Sequence, residues 1–134
     1  MNITALWFSV LMLLSGAVCA EDNAPVAVNT AYYNLHPALI GNYKAEGSRV
    51  KFYKADIALR VTSENLERVQ YHEPLIRDQL VLLFAQQADE NFASIEAKEA
   101  LRRAALLRVQ NVLEREEGEI LVQDLLFNNL VVQQ

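Results

Sequence analysis

YHEPLIRDQLVLLFAQQ, Tyr71–Gln87, is the stretch that decides how this chain folds. It reads as one helix. Pro74 suits a first helical position, having no amide hydrogen to leave unpaired and a φ already near the helical value. Glu73 stands four residues before Arg77, a spacing that stabilises an exposed helical turn by about 0.3 kcal/mol. Ile76, Leu80, Leu83 and Phe84 fall on one face. Leu75 and Leu82 lie on a second face, Val81 and Ala85 on a third, and Leu80–Ala85 contains no polar residue. That pattern predicts a helix covered on more than one side, at the centre of a small core. It falls short of the roughly 20 apolar residues that a bilayer span needs, and Arg77 and Asp78 interrupt it.

Working outward from this helix, Val50–Val61 (VKFYKADIALRV) has the period of a half-buried strand. Tyr53, Ala55, Ile57, Leu59 and Val61 share one face; Lys54, Asp56 and Arg60 share the other. Ser63 is the expected N-cap of a short helix over Glu64–Val69. Past the central helix, Asp89–Ala93 is a loop and Ser94 caps a long helix from about Ile95 to Arg115. Its apolar stripe is Leu101, Ala105, Val109, Val112 and Leu113, and Gly118 suits its stop. Ile120–Val132 is the last strand, with Leu125, Phe127 and Val131 on one face and Leu126, Leu130 and Val132 on the other. Apolar on both sides, it should be central in the sheet or covered by a partner. Asn128-Asn129 marks a bulge. Upstream, Tyr32–Asn42 is the first strand, with Pro37 at an edge or a bulge because it cannot donate to a ladder. Grouped strands and grouped helices make this an α+β domain, with a small, mostly antiparallel sheet of three or four strands and about three helices.

The N-terminus differs in kind. Ala5–Ala20 (ALWFSVLMLLSGAVCA) carries no charge and ends with Val18 and Ala20 at the -3 and -1 positions of a signal-peptidase site, before Glu21. The expected organisation is a signal peptide over 1–20, a flexible lead over 21–30 and a domain over 31–134. A short membrane anchor is the alternative, since MNIT lacks the usual basic residues. Cys19 lacks the preceding Leu of a lipoprotein signal. It is the single cysteine, so cleavage after Ala20 would exclude disulfides and thiolate chemistry.

Composition excludes more than it suggests. Twelve Lys and Arg are dispersed among seventeen Asp and Glu, for a net charge of -5, which argues against a nucleic-acid partner. His36 and His72 are far apart, and neither sits at a metal-motif spacing. Glu73 and Asp78 project about 140° from each other on a helix, so they cannot share a substrate. There is no Gly-flanked nucleophile turn and no phosphate loop. Catalytic residues, cofactor sites and metal ligands are all expected to be absent, leaving a binding or assembly module.

Four blocks carry a resemblance: KADIALRV (Lys54–Val61), EPLIRDQLVLLF (Glu73–Phe84), IEAKEALRR (Ile95–Arg103) and DLLFNNLVVQ (Asp124–Gln133). In this order they resemble the C-terminal domain of the flagellar basal body-associated FliL family, over about Tyr32 to Gln133. The signature positions are Glu73, Pro74, Ile76, Arg77, Asp78, Leu80, Phe127, Val131 and Gln133. The resemblance implies a stomatin-like fold in the periplasm and no catalysis. It further implies a homo-oligomeric ring around stator units of the MotA and MotB type, at the inner-membrane surface, in support of motility. A periplasmic scaffold for an envelope complex unrelated to the flagellum is the alternative. The candidate interface residues are Tyr32, Tyr33 and Val131. The chain departs from the family pattern in lacking a basic cytoplasmic tail and a full membrane helix, and in having Ala38 where Phe commonly follows Pro.

Overall fold

The computed structural model describes residues 29–44, 47 and 49–133; the expected signal segment, with its expected cleavage between Ala20 and Glu21, lies outside them. The elements are β1 (Thr30–Asn34), β2 (Leu39–Lys44), β3 (Val50–Thr62), α1 (Leu66–Tyr71), α2 (Glu73–Ala85), α3 (Ile95–Glu117) and β4 (Val122–Val132). Single 3-10 turns at Ser63–Asn65 and Asp89–Phe92 precede α1 and α3. This is the expected α+β fold, with three helices on one face of a four-stranded antiparallel sheet.

β3 organises the sheet, because every other strand pairs with it. β4 takes one edge, from Tyr53 opposite Val132 to Val61 opposite Val122. β1 and β2 share the other edge in succession, with Thr30–Asn34 against Ala58–Thr62 and Leu39–Lys44 against Val50–Ala55. The expected single strand Tyr32–Asn42 is therefore two strands. The chain leaves the ladder at His36–Pro37, a cis peptide, because proline has no amide to donate. Leu35 N–H still reaches Ile57 O at 2.9 Å. The alternation of β3 holds: Tyr53, Ala55, Ile57, Leu59 and Val61 are all buried under the helices.

β4 is an edge strand, not a central one. Register shifts opposite Asp56/Ile57 and Arg60/Val61 leave Asn128 and Gln123 as extra residues. Each bulge reverses the inside–outside parity downstream of it. Val122, Leu125, Phe127, Leu130 and Val132 consequently all reach the core, while Val131 turns out to solvent. The two-sided apolar pattern reflects this change of parity, and the grouping of Val131 with Leu125 and Phe127 does not hold.

α2 buries Ile76, Leu80, Leu83 and Phe84, the expected face. Leu75 also packs against the core, but Val81 and Leu82 are 40% and 46% exposed, so the cover stops short of them. The helix lies against both the sheet and α3, and neither reaches Val81 or Leu82. Phe84 remains the hub of the core. It stacks on Tyr53 at 4.6 Å between ring centroids and meets Phe127 edge-on at 5.9 Å and Phe92 at 6.3 Å. Each such large apolar side chain stabilises the fold by about 1.5–3 kcal/mol when fully buried.

The caps divide. Ser94 Oγ accepts from Ala97 N–H at 3.0 Å, and Gly118 closes α3 with φ 76, both as expected. Ser63 does not cap a helix; its hydroxyl donates to Asn29 O at 3.2 Å.

Candidate interaction surface

The signature residues of α2 build a clamp rather than a binding pocket. Arg77 Nε donates to Glu73 Oε1 at 2.7 Å, and its Nη2 donates to the carbonyl of Pro37. Tyr33 Oη donates to the other Glu73 oxygen. One helical turn thus pins β1 and the break between β1 and β2. Burial and the bond to Glu73 push the Tyr33 phenol up to about 12. Burial pulls Glu73 upward too, but the bonds from Tyr33 and Arg77 outweigh it and hold the carboxyl below its ordinary value. Tyr33 therefore belongs to the inner side of the sheet. The remaining signature positions are Pro74 in the first turn of α2, Ile76 and Leu80 in the core, and Asp78 in solvent. The Gln133 amide donates to Phe52 O at 2.9 Å, and its side-chain oxygen accepts from Phe52 N–H at 3.2 Å.

Other charges also hold the fold together. Lys51 and the Tyr43 hydroxyl both donate to Asp89, at 3.1 and 2.9 Å, tying the β2–β3 hairpin to the turn before α3. Arg68 of α1 pairs with Glu117 at 2.8 Å and also with Glu119, and His72 Nε2 lies 2.7 Å from Glu117 Oε1. Arg102 bonds Glu99 and Asp124, both at 2.6 Å, and holds the Glu99 carboxyl at about 2. It also donates to Leu125 O at 2.9 Å, while Gln110 donates to Val122 O at 2.9 Å. α3 thereby satisfies outward carbonyls on the edge of β4, a guard against uncontrolled strand pairing. Among the described residues, no three His, Cys, Asp or Glu side chains are placed to hold a metal ion.

What remains open is the outer face of the sheet. Its rows follow from the register: Tyr32, Arg60 and Asp124; Asn34, Ala58 and Leu126; Asp56 and Asn129; Ile40, Lys54 and Val131; Asn42 and Phe52; Lys44 and Val50. Tyr32, Ile40, Val50, Phe52 and Val131 are each more than half exposed. Of the three candidate interface residues, Tyr32 and Val131 lie on this face, near opposite ends, and Tyr33 does not. Ile40, Val50 and Phe52 were not singled out from sequence. The even positions of Val50–Val61, opposite its apolar face, could have located Val50 and Phe52. Spacing marks the Glu73–Arg77 pair of the clamp, but Tyr33 and the Pro37 carbonyl carry no local signal, because each lies 40 residues from its partner in the chain.

The described residues thus form a single-sheet α+β domain whose helices cover one sheet face and, among those residues, leave the other face open. The family profile described as flagellar basal body-associated protein FliL matches residues 32–133, and the chain belongs to that family. No curated protein matches it. Family membership implies a flagellar basal body-associated protein. Among the described residues, no helix is long and apolar enough to cross a membrane.

Proposed function

We propose that this protein works on the periplasmic side of the inner membrane, where it associates with flagellar stator units in several copies and supports motility. The observation that carries the reading is the family match over residues 32–133, which spans the whole folded domain. The stomatin-like character implied by the resemblance fits a scaffold role. The outer sheet face is the contact surface, with Tyr32 and Val131 as its markers. The signature residues act one step back, holding β1 and β2 in place so that this face keeps its shape. The apolar segment Ala5–Ala20 directs export, and the chain recovered from the periplasm begins at Glu21.

A clean chromosomal deletion tests the reading. Swimming and swarming should fall, most strongly in viscous medium, where the load on each motor is greatest. Unchanged motility under load would contradict it.

A further inference from the structure

One end of the outer sheet face has a chemistry that the rest of the molecule lacks. Lys44–Lys54 (KAEGSRVKFYK) holds four of the chain's twelve cations and one carboxylate, in a protein of net charge -5. Lys51 points to the inner side, onto Asp89. Lys44 and Lys54 fall on the outer face, in the rows of Val50 and of Ile40 and Val131, and Arg49 precedes Val50. All three of these cations are exposed. Between them stand Val50, Phe52, Ile40 and Val131, at 58%, 55%, 67% and 53% exposure. The bulge at Asn128 is what turns Val131 into this group. Asp56 is the outer-face carboxylate nearest to these cations, two residues from Lys54, and Glu117 and Glu119 lie at the other end of β3, where they meet Arg68 of α1.

We propose that this end of the sheet docks on an anionic phospholipid surface. Aliphatic and aromatic side chains interleaved with cations suit an interface of that kind, where the apolar groups enter the headgroup boundary and the cations meet phosphates. A neutral apolar partner would leave Lys44 and Lys54 unpaired, and a second copy of a net-acidic chain would have to bring its acidic end to this one. The arrangement sets β3, a strand of about 40 Å, end-on or edge-on to the bilayer and leaves the Tyr32 end free for a protein contact. This inference does not depend on the stator reading, because lipid alone is enough to test it.

The test uses the full chain with Cys19→Ser and a single environment-sensitive fluorophore at Asn42→Cys, which neighbours Phe52. A second variant carries the fluorophore at Leu107→Cys, on the exposed side of α3. The probe reports contact by its own face, whatever the N-terminal segment does. Vesicles containing phosphatidylglycerol should shift the emission at position 42 to the blue and leave position 107 unchanged. Added salt should reverse the shift, and Lys54→Gln or Lys44→Gln should each weaken it about fivefold. Three results would overturn the proposal: no shift on phosphatidylglycerol, an equal shift on phosphatidylcholine, or a shift without vesicles that grows with protein concentration. The last would assign the patch to a second copy of the chain.

Discussion

Gly41→Ala is the substitution whose cost follows most directly from the core. Gly41 sits opposite Tyr53 in the β2–β3 ladder. A Cβ there would lie 2.6 Å from the Tyr53 hydroxyl oxygen and 2.8 and 2.9 Å from two ring carbons. The ring cannot simply yield, for it is 2% exposed and stacked on Phe84 at 4.6 Å. Overpacking of this kind costs about 1–3 kcal/mol, and replacing a strand glycine by alanine returns about 0.5–1 kcal/mol. With the ring locked in place the clash falls in the upper half of that range, so the expected net loss is about 1–2 kcal/mol. Urea unfolding followed by far-UV circular dichroism should show a midpoint lower by about 1 M. The mechanism is tested by repeating the change in a Tyr53→Leu background, where the clashing atoms are gone. There Gly41→Ala should be neutral or slightly stabilising, giving a coupling of about 1–2 kcal/mol in the double-mutant cycle. A Gly41→Ala protein as stable as the parent, or one equally destabilised in both backgrounds, would refute the reasoning. Tyr53→Phe should cost nothing, because the buried hydroxyl it removes has no hydrogen-bond partner among the described residues.

Glu73→Gln should lower stability by about 1–3 kcal/mol at neutral pH by weakening the bonds to Tyr33 and Arg77. Because the folded protein holds this carboxyl below its ordinary 4.5, its contribution is present above that value and is lost as pH falls through the folded value. Melting curves of parent and variant should converge in acid; a gap independent of pH would contradict the charged role. Arg102→Ala frees the Leu125 carbonyl and the Asp124 carboxylate on the β4 edge. It should destabilise the protein by about 1–3 kcal/mol and raise light scattering at high concentration; unchanged melting and scattering would show that the edge needs no guard.

The parts of the fold legible in sequence are those fixed by neighbours along the chain. The alternation of β3, the Ser94 cap, the apolar stripe of α3 and the Gly118 stop each depend on a few consecutive residues. The illegible parts depend on what lies across space. Leu80–Ala85 could not reveal that Val81 and Leu82 would find nothing to cover them. Asn128-Asn129 signalled a bulge, yet parity after a bulge depends on which residue is extruded, and that is settled by pairing with β3. Glu73 and Arg77 looked like an exposed helical pair; Tyr33 and the Pro37 carbonyl make them a clamp, and neither announces itself by spacing. The candidate surface was half legible for the same reason. Tyr32 and Val131 were chosen and lie outside, but Ile40, Val50 and Phe52 join them only through the register.

If the outer sheet face meets the flagellar motor, a side chain on it lies within reach of a motor protein in the cell. Photo-crosslinking in motile cells tests it most directly, with a benzophenone amino acid replacing Tyr32 on that face or Leu107 on α3, both more than half exposed. The expected result is a Tyr32 adduct containing a stator or other basal body protein and no such adduct from Leu107. Motile cells in which Tyr32 captures no flagellar protein would contradict the claim.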